Sequence, residues 1–117
     1  RFWFRGFYVL GLIRCAWWND LTHVYAELHP EEVEAYALEP LFEIVQKIAR
    51  VCRLRFFSTE IVRDGQGRHV VIDYVNEYCD MRLSSKHPDG VPDALVGQIA
   101  SKIVAYARGS EAPGRIS

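Results

Sequence analysis

Two extended, apolar-rich runs lie between Arg55 and Asp80 on either side of Asp64-Gly65-Gln66-Gly67, and each carries one acid in its interior, Glu60 in the first and Asp73 in the second. A turn of that composition between two strand-like runs folds the chain back as a hairpin. An acid inside an otherwise apolar strand is costly unless it faces water, a partner or a cation. The hairpin therefore has to place two carboxylates as well as bury its apolar residues.

Register decides where they go. With Arg63 opposite Arg68, Glu60 faces Val71 and Asp73 faces Ser58, and the period of two puts Phe56, Ser58, Glu60 and Val62 on one face with His69, Val71, Asp73 and Val75. Glu60 and Asp73 are then diagonal neighbours, roughly 7–8 Å apart by backbone. Two carboxylates at that spacing converge on one Mg²⁺, which takes oxygen ligands. A three-residue loop would shift the register by one and send the acids to opposite faces.

The remaining chain supplies a domain around that hairpin. Phe2–Leu10 and Leu12–Trp18 are rich in aromatic and β-branched residues and read as strands reversing at Gly11. Leu21–Glu27 reads as a short strand or an irregular crossing segment. Pro30, Glu31 and Glu32 open an amphipathic helix carried on by Val33, Ala37, Leu41, Ile44 and Val45, with a kink or restart expected at Pro40. Pro92 opens a second helix, with Asp89 or a neighbour as cap and Leu95, Val96, Ile99, Ile103 and Val104 as its apolar face. The order strand, strand, helix, strand, strand, helix predicts an α+β domain over 1–109: a mainly antiparallel sheet of about four strands with helices packed on one face, followed by a tail over 110–117.

Composition narrows the function classes. The 117 residues fit one domain, and a net charge of −1 supplies no field for nucleic acid. Phe2–Trp18 is interrupted by Arg5, Gly6, Gly11 and Arg14, so it neither spans a membrane nor reads as a signal peptide. Cys15, Cys52 and Cys79 show no metal or disulfide spacing, and a reducing, cytoplasmic setting is the expectation. The start at Arg1, directly in a strand-like run, reads as a piece cut from a longer polypeptide.

The run FFSTEIVRDGQGRHVVIDYVNEYCD resembles the closing hairpin of the ATP-grasp enzymes, in which an acid on one strand is followed, after a Gly-containing turn, by an acid and an asparagine on the next. The upstream FYVLG, second strand and helix are similar to that family's carboxyl-side subdomain. The resemblance implies that Glu60, Asp73 and Asn76 bind Mg²⁺, with Glu77 in reserve because it is in phase with Asp73. It implies ATP as the nucleotide and ATP-dependent activation of a small carboxylate for attack by an amine, with the adenine and substrate held partly by an amino-side subdomain outside these residues. Many family members carry a phosphate-contacting arginine two residues before the first acid, where this chain has Ser58. Arg82 and Lys86, in the loop over 81–90, are the candidates for that contact.

Two other readings share the same residues. A non-enzymatic ligand-binding or homodimerising module would use the aromatic first hairpin as its interface. A metal-dependent nuclease would use the paired acids, but it would usually carry a lysine two residues after the second acid, where Val75 stands.

Overall fold

The computed structural model describes residues 2–72 and 80–109. Strands β1 (Phe2–Val9), β2 (Leu12–Trp18), β3 (Tyr25–Glu27), β4 (Phe56–Arg63) and β5 (His69–Val71) form one antiparallel sheet in the order β3-β2-β1-β4-β5. Helices α1 (Pro30–Ala35) and α2 (Glu39–Cys52) lie between β3 and β4, and α3 (Asp93–Ala107) follows the hairpin. The α+β class and the antiparallel sheet agree with the sequence. The fifth strand is the segment near Leu21–Glu27, which pairs for three residues with the end of β2. No helix among the described residues is long and apolar enough to cross a membrane.

Leu10 and Gly11 both take positive φ, 51° and 95°, and form the two-residue reversal between β1 and β2. Positive φ at both central positions matches the right-handed twist of the flanking strands. The expected restart at Pro40 is present as a break at Tyr36–Leu38. Pro40 then sits in the first turn of α2, where no intrahelical N–H is lost.

The helices lie on both faces of the sheet, which corrects the one-face expectation. Phe4 and Tyr8 of β1 pack with Phe57 and Ile61 against Leu41, Val45 and Ala49 of α2. Phe7 and Val9, of opposite parity, pack with Ala16 against Val91, Leu95 and Ile99 around α3. The cause is the central strand: Phe7, Tyr8 and Val9 are consecutive, apolar and at most 2% exposed, so β1 needs cover on both sides. Phe4, Phe7 and Tyr8 are accordingly core residues, whereas Trp3, Trp17 and Trp18 are half-buried. The apolar face of α3 docks through Leu95 and Ile99, while Ile103 and Val104 are 38% and 46% exposed.

Close packing under α2 depends on Gly6. A Cβ at this position would stand 2.5 Å from Val45 Cγ2, within a core that has no room to yield. Gly6→Ala should therefore cost about 1–3 kcal/mol by overpacking. In urea unfolding, Gly6→Ala with Val45→Ala should lose less than the sum of the two single losses; strict additivity would contradict this contact.

Candidate functional site

The closing hairpin turns on five residues rather than four. Asp64 Oδ1 accepts the N–H groups of Gln66 (2.8 Å) and Arg68 (2.9 Å), and Arg68 Nε donates to Asp64 Oδ2 at 2.9 Å. Arg68 is thereby held in the loop, and the ladder begins with Arg63 opposite His69. Val71 consequently faces Ile61 rather than Glu60, and Val70, paired with Val62, takes the face of Glu60. The register that set Glu60 and Asp73 side by side is thus not that of the described ladder. Asp73, Asn76 and Glu77 lie outside the described residues.

Glu60 has its counter-charge on the other neighbouring strand. Its carbonyl accepts Ile72 N–H at 3.1 Å, so its peptide groups point toward β5, away from β1. Arg5, directly opposite on β1, therefore forms a non-hydrogen-bonded pair with it, the type in which side chains approach most closely. Arg5 Nη1 donates to Glu60 Oε1 at 3.2 Å, and Nη2 donates to Ser58 Oγ at 2.7 Å. Both charged side chains are 16% exposed, so this pair is screened less than a surface ion pair. The Trp18 ring lies 5.4 Å from Arg5 Cζ and stacks with His23 at a centroid distance of 5.1 Å. Arg5 Nε is buried with no hydrogen-bond partner among the described residues.

Arg5, Trp18, His23 and Ser58 line a polar cavity of about 230 Å³ together with Arg82. Arg82 comes from a loop closed by the parallel bridge Leu83–Val91. Its guanidinium donates to Asp80 and, at 2.9 Å, to Asp89. These bonds hold the Asp80 and Asp89 carboxyls below the usual carboxylate range and raise Arg82 further above its own. The attraction of Asp89 to Arg82 also corrects its expected role as helix cap. The N-cap of α3 is Pro92, and Asp93 instead accepts the Ser85 N–H at 3.1 Å and the Ser84 hydroxyl at 3.3 Å.

The structure thus brings Arg82 into the cavity that contains Arg5 and leaves Lys86 outside its lining. Lys86 sits in the exposed turn where its N–H donates to Leu83 carbonyl at 3.0 Å. Among the described residues, no group of three or more His, Cys, Asp or Glu side chains converges on a metal position. Sequence reasoning missed Arg5. The signal was available, because a charged residue inside an apolar strand poses the same problem at Arg5 as at Glu60. Comparison with known proteins returned no match: no family model, no curated protein and no solved structure is significantly similar to the chain.

The Arg82 loop is anchored at Gly90, where a Cβ would lie 2.5 Å from the Leu83 carbonyl carbon and oxygen. Backbone atoms cannot rotate aside, so Gly90→Ala should open the bridge and release Arg82. The carboxyl titrations of Asp80 and Asp89, read by NMR, should then rise toward the ordinary value of about 3.9, as they should in Arg82→Gln. Because folding lowers both values, their stabilising contribution is present above that value and lost as pH falls through the folded ones. Unchanged titrations in both variants would contradict this account of the loop.

Proposed function

We propose that the chain forms the phosphate- and metal-facing half of an ATP-dependent carboxylate–amine ligase site of the ATP-grasp kind. The observation that carries the reading is the meeting of Arg5, Ser58 and Glu60 on one sheet face. Where the family's arginine would precede the first acid, Ser58 stands. The Arg5 guanidinium reaches this position from the neighbouring strand, 2.7 Å from Ser58 Oγ. The arginine is supplied across the ladder instead of along it.

Each group has a chemical part in this reading. Arg5 is fixed by Glu60 and Ser58 and offers its remaining guanidinium N–H donors to a phosphate oxygen, with charge-assisted strength. Glu60 spends Oε1 on Arg5 and has Oε2 for a cation. Mg²⁺, when bound, neutralises phosphate charge during transfer to the carboxylate. Asp73 and Asn76 would complete its ligand set, and Arg82 would offer a second guanidinium once a phosphate competes with Asp80 and Asp89. A small carboxylate would take the γ-phosphoryl group of ATP, releasing ADP, and an amine would then attack the acyl phosphate and displace inorganic phosphate to leave an amide. Lys86 has no part in this arrangement.

Calorimetry of Mg²⁺–ATP binding to the intact polypeptide tests it. Arg5→Gln and Glu60→Gln should each weaken binding by about tenfold or more, the scale of one lost charged contact, while Lys86→Gln stays within about twofold. Wild-type affinity in both Arg5→Gln and Glu60→Gln, with folds intact by circular dichroism, would overturn the assignment.

A further inference from the structure

A second cavity, away from the Arg5 cluster, lies beside the outer edge of β2 where, among the described residues, no strand pairs with that edge beyond Ala16. The outer ladder of β2 covers only Ala16–Trp18, because His29 and Pro30 turn the chain out of the sheet and into α1 after β3. The two-residue reversal at Leu10-Gly11 closes on the pair Val9–Leu12, which makes that pair hydrogen-bonded. By alternation, the peptide groups of Leu12, Arg14 and Ala16 face β1, and those of Ile13 and Cys15 point outward. The Ile13 carbonyl is outward-facing, since it accepts Arg14 Nη1 at 2.8 Å. The N–H of Cys15 points the same way, just beyond the last residue pair of the β2–β3 ladder.

Beside this open edge is a space of about 500 Å³, lined by Arg14 and Cys15 of β2 and by elements from all three helices. That volume lies in the range that accepts a small organic ligand. Leu28, Val33, Phe42 and Leu95 make much of its wall apolar. Arg14 also donates from Nε to Gln98 Oε1 at 2.5 Å. Its bonds to Gln98 and Ile13 engage two of the five guanidinium donors, which leaves the others for the cavity. A charged side chain at a free strand edge also deters pairing with other chains, and that role alone would require no cavity. The Cys15 thiol is pushed up to about 12 by burial, so it stays protonated and serves as wall rather than nucleophile.

We propose that the cavity between the open edge of β2 and helices α1, α2 and α3 binds a small amphipathic carboxylic acid. Its apolar body packs against Val33, Phe42 and Leu95, and its carboxylate accepts from Arg14 and the outward-pointing N–H of Cys15. Glu27 and His29 also line the space. The negative charge of Glu27 favours one carboxylate per ligand over two. This site is independent of the ligase reading, since it shares no lining residue with the Arg5 cavity.

The probes are 4-phenylbutyrate and octanoate, with 4-phenylbutanol as the neutral control, titrated by calorimetry into the intact polypeptide. Both acids should bind, and the alcohol should bind at least about tenfold more weakly than 4-phenylbutyrate, as expected when a charged hydrogen-bonding group is replaced. Arg14→Gln should remove that preference for the acid. Ala94→Trp, at an exposed position on the cavity wall, should abolish binding without disturbing the core. Failure of both acids to bind, equal affinity for acid and alcohol, or undiminished acid binding in folded Ala94→Trp would each overturn the proposal.

Discussion

The register of β1 on β4 is the constraint on which the rest of the site depends. It sets Arg5 opposite Glu60 on one face of the sheet, so each charge meets its opposite. Neither residue is tolerable there alone: a half-buried charge without a partner has lost hydration and gained nothing for it. Among the described residues the pairing leaves guanidinium donors of Arg5 and one carboxylate oxygen of Glu60 without a hydrogen-bond partner. Charge satisfaction in the fold and the proposed binding of a charged ligand thus draw on the same contact.

That contact is positioned by the two-sided burial of β1. Phe4 and Tyr8 fix the strand against α2, while Phe7 and Val9 fix it against α3, so Arg5 emerges between two anchored neighbours. Gly6 belongs to the same arrangement, since it lets α2 approach the strand closely beside Arg5. On the far side of the cavity Arg82 is held by Asp80, Asp89 and the bridge at Leu83 and Val91. One guanidinium is set by a rigid sheet and the other by an ion-paired loop. The carboxylates that hold the second stand well exposed to solvent, at 54% and 40% of their side-chain surface.

Much of this was legible in the residues. The reversal at Gly11, the restart at Pro40 and the final helix after Pro92 each rest on local backbone chemistry, and local chemistry is written at the position it governs. The closing hairpin was recognisable as well, but its register was not. Whether Arg68 joins the strand or stays with Asp64 depends on side-chain bonds inside the loop, and that choice moves every partner on the second strand by one residue. The placement of helices on both faces could have been read from the unbroken apolar run Phe7–Leu10. The partner of Glu60 was harder to find, since β1 and β4 are joined by more than forty residues of intervening chain and no local pattern states their register. The loop candidates divided for a similar reason: Arg82 has acids within reach on both sides, whereas Lys86 sits on the exposed tip of its turn.

In the proposed site a guanidinium N–H of Arg5, held by Glu60 and Ser58, meets a phosphate oxygen. The arginine guanidinium resonances of the intact polypeptide, followed by NMR as Mg²⁺–ATP is added, report on that contact directly. The Arg5 guanidinium signals should move downfield as nucleotide binds. Saturating nucleotide that leaves the Arg5 signals unmoved would contradict that contact.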